Sequence, residues 1–236
     1  MKLLAVECST KPVSAAVISD GEIVSYTFSD VRLTHSQTLF PIIESTLKAA
    51  KMTFSDIDAI GVATGPGSFT GLRIGIACAK GLAEPENLKC AGVSTLLAAA
   101  HAFMGENAII CPAIDARCGQ VYNALFEVCG DTVTRLCDDR AVMIDDLVSE
   151  LEAVTDKRII LCCDAAQSVA NKVCGGKNVT LAPKPLILQN AIGVGLCAHK
   201  EIAEGNFVSG AELKPSYLKL PQAQRELKER NGEMNL

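Results

Sequence analysis

The residues of this 236-residue chain best suited to chemistry lie in four places. Gly65-Pro66-Gly67-Ser68-Phe69-Thr70-Gly71 has the make-up of a strand-to-helix junction. Its glycines can take tight backbone conformations, and Ser68 or Thr70 can cap a helix whose first N–H groups attract an anion. It is neither Gly-x-Gly-x-x-Gly nor Walker A, because no Gly-Lys-Ser/Thr follows, and a glycine-shaped turn with a cap and no ligand explains it equally well. Glu7-Cys8-Ser9-Thr10 and Asp115-Ala116-Arg117 each place an acid at the end of an apolar run. Asp115 and Arg117 can face a phosphate through magnesium, or simply pair to close a turn. His35 is a base or ligand by type, but a metal-binding helix needs a second ligand four residues on, and that residue is Leu39. The eleven cysteines include no Cys-x-x-Cys pair and no nearby His–Asp grouping, and His35, His101 and His199 are far apart. No catalytic residue and no metal site is expected.

The elements that must position these residues follow from hydrophobic periodicity. Lys2–Cys8, Val13–Ile18 and Glu22–Phe28 read as a three-strand meander, with Asp20-Gly21 as a tight hairpin. A helix over about 37–51 carries Leu39, Ile42, Ile43, Thr46 and Leu47 at helical spacing, and Pro41 places its start only a few residues earlier. Then come a strand at Ala59–Thr64, a helix over about 70–83, a strand near 90–93 and a helix over about 95–104. The second half repeats the order: strands at Ala108–Ile114, Val121–Cys129 and Thr132–Leu136, a helix at Ile144–Glu152, a strand at Arg158–Cys163, a helix at Ala165–Val173, a strand near 179–181 and a helix over about 187–204. A duplicated β-β-β-α-β-α-β-α unit resembles the plan of the actin-like ATPase, sugar-kinase and heat-shock ATPase (ASKHA) superfamily, an α/β fold with nucleotide in the cleft between two lobes. It divides the chain into lobes at 1–105 and 106–209 and an extension at 210–236, polar from about 222.

Two helices carry more apolar surface than one sheet can cover. Leu39, Ile43 and Thr46 form one stripe of the first, beside Phe40 and Leu47; on the second, the small residues Gly71, Gly75 and Ala79 form a stripe flanked by Leu72 and Ile76. The surplus is expected to meet a partner helix pair. Apolar residues make up 49% of the chain and the net charge is −5, a globular composition without the basic excess that gripping nucleic acid unaided requires. Odd, unpaired cysteines and a start that meets a carboxylate at Glu7 point to a reducing cytoplasm, and no apolar run reaches the length of about 18 residues a membrane helix needs.

These residues together resemble the TsaB family, formerly YeaZ. The likeness is carried by Ala5-Val6-Glu7-Cys8-Ser9-Thr10, His35-Ser36-Gln37, Gly65 through Gly75, Ala79-Lys80-Gly81-Leu82-Ala83, Gly92-Val93-Ser94-Thr95-Leu96, Ile114-Asp115-Ala116-Arg117 with Gln120-Val121-Tyr122, and Pro215-Ser216-Tyr217-Leu218. It spans about residues 1–220. The resemblance implies a non-catalytic subunit that pairs with the metal-bearing paralogue TsaD through first-lobe helices. With the ATPase TsaE, that complex moves threonylcarbamoyl from threonylcarbamoyl-AMP to the adenosine beside the anticodon of tRNA, which this subunit would reach only through its partners. Leu39 stands where TsaD has the second of two histidines, and Glu7 where the family usually has Asp, which weakens any magnesium-linked role. Self-pairing in isolation and weak ATP or ADP binding around Ser9, Thr10, Gly67, Ser68, Thr70, Asp115 and Arg117 stay open. The competing reading is a self-sufficient enzyme of the same fold, a nucleotide-dependent kinase or hydrolase, or a peptidase.

Overall fold

The computed structural model describes residues 1–31, 33–154, 156–173 and 178–219. In chain order the first half forms β1 (Lys2–Glu7), β2 (Val13–Ser19), β3 (Glu22–Ser29), α1 (His35–Ala49), β4 (Ala59–Gly65), α2 (Phe69–Ala83), β5 (Lys89–Ser94) and α3 (Thr95–His101). The second forms β6 (Asn107–Arg117), β7 (Gln120–Asn123), β8 (Phe126–Cys129), β9 (Thr132–Arg135), β10 (Arg140–Met143), α4 (Ile144–Glu152), β11 (Ile159–Cys162), α5 (Ala166–Ala170), β12 (Val179–Leu181) and α6 (Ala191–Ala203). No helix among the described residues is long and apolar enough to cross a membrane.

The first sheet has the order β3-β2-β1-β4-β5, an antiparallel meander continued by two parallel strands. Asp20 (φ 51°) and Gly21 (φ 88°) both take positive φ, the requirement of the two-residue hairpin turn that matches strand twist. Strand β1 is buried on both faces. Leu4 and Val6 pack under α1 and α2 with Leu39, Ile43, Ile60, Val62 and Ile76, while Leu3 and Ala5 pack under α6 and α3 with Ile18, Ala98, Val194 and Ala198.

The second sheet runs β10-β7-β6-β11-β12, with β8 beside β6 and β9 beside β8. Its long central strand changes antiparallel partner midway, pairing with β8 along Asn107–Ile110 and with β7 along Ala113–Arg117. The single strand expected over Val121–Cys129 is therefore two. Asn123 marks the change, donating from Nδ2 to the carbonyls of Pro112 (2.9 Å) and Ala124 (3.1 Å). Strand β10 had no counterpart in the sequence pattern. Helix α3 turns Leu96, Ala99 and Ala100, with Phe103 just beyond its end, toward Ile110, Phe126 and Ile160 of this sheet, so it lies between the two lobes.

Two expectations are corrected. Helix α1 begins at His35, which puts Pro41 in its second turn; the carbonyl of Gln37 that loses its N–H partner belongs to an exposed residue that water can serve. The second lobe does not run unbroken over 106–209, because α6 packs on the first sheet. In the expected extension Leu213 is buried in the first lobe's core; the part of the expected tail beyond residue 219 lies outside the described residues.

The small stripe of α2 faces inward. A Cβ added at Gly75 would lie 2.5 Å from Cys8 Sγ, and one at Gly71 would lie 2.1 Å from the Cys8 carbonyl oxygen. Gly75→Leu is therefore expected to lower the stability of the isolated chain, by about 3 kcal/mol on the scale of overpacked cores, rather than leave a folded chain that has lost a partner. Thermal unfolding of the isolated variant decides this: an unchanged midpoint would place Gly75 on an outer surface after all.

Candidate functional site

Where β1, α2 and β6 end or begin toward one another, a cavity of about 410 Å³ opens between the lobes. Its first wall is the turn after β1, clamped by the loop that precedes α2. The Ser68 N–H donates to the Ser9 carbonyl at 2.5 Å, an approach possible because a Cβ on Gly67 would fall 2.3 Å from that oxygen. Ser68 caps α2 by accepting from the Gly71 N–H at 3.3 Å; Thr70 lies inside the helix and does not cap it. His35 reaches the Thr10 carbonyl at 2.8 Å through Nε2, and Gln189 donates from Nε2 to Thr10 Oγ1. His35 thus ties the start of α1 to the turn.

The opposite wall is the turn after β6. Arg117 (φ 62°), Cys118 (φ 53°) and Gly119 (φ 72°) take left-handed conformations, and the Arg117 N–H donates to Asp115 Oδ1 at 2.8 Å. The Asp115 N–H in turn donates to Asp164 Oδ1 at 3.0 Å. Desolvation by the walls, with the Asp115 charge adding to it, raises the Asp164 carboxyl from its ordinary value, and the Asp115 N–H and Lys11 partly offset the rise. Lys219 completes the wall, donating from Nζ to the Ala116 carbonyl at 3.1 Å and to Gln120 Oε1.

Of the residues singled out from sequence, Thr10, Gly67, Ser68, Thr70, Asp115 and Arg117 line this cavity. Ser9 lies beneath it, fully buried, and contributes its backbone. Glu7 is buried below the same turn. Its Oε1 accepts the Ser9 N–H at 2.5 Å, its Oε2 has no hydrogen-bond partner, and desolvation pushes its carboxyl up to about 7. Sequence reasoning missed Lys11, Phe69, Tyr122, Asp164 and Lys219 as lining residues. Asp164 carried a readable signal, because it follows the apolar strand β11 as Asp115 follows the apolar run Ala108–Ile114. Lys11, Arg117 and Lys219 arrive from three separate segments beside the α2 N-terminus, a setting suited to a phosphate-bearing ligand. Among the described residues no group of three or more His, Cys, Asp or Glu side chains is placed to hold a metal.

The residues expected at a partner face are placed differently. Leu39, Ile43, Thr46, Leu72, Gly71, Gly75, Ile76 and Ala79 are all buried in this chain's own core. Seven of them, from Leu39 to Ala79, face inward and are corrected as contact residues; Ile43, though 2% exposed, also lines the outward groove of the helix pair. What the helix pair shows outward is a groove of about 400 Å³ lined by Phe40, Ile43, Leu47, Met52, Phe54 and Leu82, with Glu44 and Lys48 beside it. Phe40 is half exposed.

Two lobes on mixed sheets, with the turn after each lobe's first strand facing a shared cleft, define the actin-like ATPase and sugar-kinase class of protein. Within that class, residues 29–196 match the family model for TsaD, tRNA N6-adenosine threonylcarbamoyltransferase. A tRNA threonylcarbamoyladenosine biosynthesis protein TsaB from Escherichia coli is 34% identical over 64% of this chain and 65% of its own length, just under two thirds of that relative. The TsaB of Haemophilus influenzae is 28% identical over 93% of this chain and 94% of its own. A Pseudomonas aeruginosa crystal structure, described as an uncharacterized protein with similarity to peptidase YeaZ, superposes with a TM-score of 0.78 at 25% identity, covering 92% of this chain and 99% of that one. The chain belongs to the TsaB (YeaZ) family, relatives of TsaD.

Proposed function

We propose that this chain is a non-catalytic subunit of a cytoplasmic tRNA threonylcarbamoyltransferase, pairing with a TsaD-type metalloprotein and working with a TsaE-type ATPase. In this reading the complex carries threonylcarbamoyl from threonylcarbamoyl-AMP to the adenosine beside the anticodon, and tRNA is met only through the partners. The observation that carries it is the outward apolar groove of α1 and α2, where Phe40 stands half exposed beside the partly buried Met52, Phe54 and Leu82. Relatives named for threonylcarbamoyladenosine biosynthesis support the pathway. Without the partner, the same groove gives a second copy somewhere to dock.

A second reading rests on the cleft. Its three cations and the α2 N-terminus favour weak ATP or ADP binding, and with it a self-sufficient nucleotide-dependent enzyme. Reconstitution separates the two: this chain, a TsaD-type protein, a TsaE-type protein, threonylcarbamoyl-AMP and tRNA are combined and each is omitted in turn. Modification that persists without this chain sinks the subunit reading, and ATP turnover by this chain alone promotes the second. Phe40→Asp tests the surface directly. It is expected to weaken association with the TsaD-type protein by about 30-fold, the scale of losing one buried aromatic anchor, while leaving thermal stability unchanged. Undiminished co-elution would move the contact elsewhere.

A further inference from the structure

The segment after α6 touches both lobes in succession. A helical turn at Gly210–Glu212 begins it, held by Lys80, whose Nζ donates to the Ala211 carbonyl at 2.8 Å. Leu213 then enters the first lobe's core at 3% exposure. The Ser216 N–H donates to the Thr64 carbonyl at 2.8 Å, adding a contact at the end of β4. Tyr217 stacks on Phe69 with ring centroids 4.1 Å apart and planes 11° apart. Arg73 lies over Phe69 at 4.3 Å and donates from Nε to the Tyr217 hydroxyl at 3.0 Å. Two residues later the chain has crossed the cleft mouth, where Lys219 grips the Ala116 carbonyl and Gln120 of the second lobe and lies 5.8 Å from the Tyr122 ring centroid.

The geometry points to residues 210–219 being an interlobe strap: anchored on the first lobe by Leu213, Ser216 and the Tyr217–Phe69–Arg73 stack, it holds the turn after β6 through Lys219 and so sets how far the cleft opens. Two-lobed proteins close on ligands by hinge motion, and a tie between the lobes at the cleft mouth restricts that swing. The anchors divide the work by chemistry. Leu213 and the backbone bond at Ser216 fix the strap in place, Tyr217 sets the direction in which the chain leaves α2, and the Lys219 ammonium makes the connection across the gap. Loss of Lys219 should free the turn without disturbing the strap's root; loss of Tyr217 should free both the turn and the start of α2.

Amide hydrogen exchange on the full chain tests this, comparing the wild type with Lys219→Met, which keeps an unbranched side chain but removes the ammonium, and with Tyr217→Ala. In Lys219→Met, exchange across residues 115–120 is expected to rise about tenfold, the scale of losing hydrogen bonds from a charged donor, with β3 and β12 unchanged. In Tyr217→Ala the same rise should extend to residues 68–72. Tyr217 is 38% exposed and Lys219 lies at the cleft mouth, so neither variant removes core. Wild-type exchange at residues 115–120 in Lys219→Met would overturn the strap. So would a rise spread evenly over the whole chain, since Lys219 would then contribute only to global stability.

Discussion

Glu7→Gln is expected to stabilise the protein, by an amount that grows between about pH 4.5 and pH 7 and stays constant above. Glu7 is 1% exposed, and desolvation lifts its carboxyl from an ordinary 4.5 to about 7 in the folded chain. The neighbours that feel its charge are themselves pushed upward, Cys163 by its hydrogen bond to Cys162 and by burial, Cys8 and Tyr26 chiefly by burial, and no cation pulls the Glu7 carboxyl back down. Because the folded chain binds the proton more tightly than the unfolded chain does, stability is greatest below pH 4.5 and is lost as pH rises toward 7. A carboxyl lifted that far carries a loss on the order of 3 kcal/mol once it ionises. The amide keeps an acceptor for the Ser9 N–H and never ionises, so Glu7→Gln escapes that loss. At pH 8 the variant's melting temperature should exceed the wild type's by roughly 5–10 °C, with the two converging near pH 4.5. Parallel profiles across this range would refute a buried, proton-binding Glu7.

A second large effect is expected at the crossing of α3 and α6. A Cβ on Gly193 would lie 2.0 Å from the Ala98 carbonyl oxygen and 2.8 Å from its carbon, both backbone atoms that cannot swing aside. Alanine is a better helix former than glycine by about 1 kcal/mol, which alone would favour Gly193→Ala. Here the steric term wins, because α3 must move and α3 is wedged between the two sheets. A net loss of about 2 kcal/mol is expected, visible as a lower denaturant midpoint with unchanged slope. Gly81→Ala is the matched control: its Cβ would meet nothing within 4 Å, so propensity should act alone and raise the midpoint. If both variants shift the midpoint the same way, close approach at Gly193 is not what requires the glycine.

How much of this was legible beforehand depended on how local the cause was. The Asp20-Gly21 hairpin, a hydroxyl cap at Ser68 or Thr70 and the span Ile144–Glu152 were all readable, because each is decided by a few adjacent residues: positive φ at a two-residue turn, a hydroxyl before a helix, Asp145 and Asp146 in a first turn above Leu147, Val148 and Leu151. The division of β7 from β8 was not, because it is made by β6 changing partner, and the run Val121–Cys129 is apolar enough for either arrangement. The inward direction of the Gly71/Gly75/Ala79 stripe was undecided for the same reason: small residues permit close approach without saying whether a sheet or another chain approaches. In the cleft, Gly67, Ser68, Asp115 and Arg117 came from recognisable turns. Lys219 came from a segment with no local signal, and its place depends on a chain path fixed by Leu213 and Tyr217.

The return of α6 to the first sheet also orders the birth of the protein. When residues 1–105 have been made, Leu3, Ala5, Ala16 and Ile18 still lack the helix that supplies Ala191, Val194, Ala198 and Ile202 to their face of the sheet. The first lobe to leave the ribosome is therefore the last to be finished. Until residue 203 emerges, that face of the first sheet lacks its α6 cover, and apolar surface left open in this way is prone to aggregate.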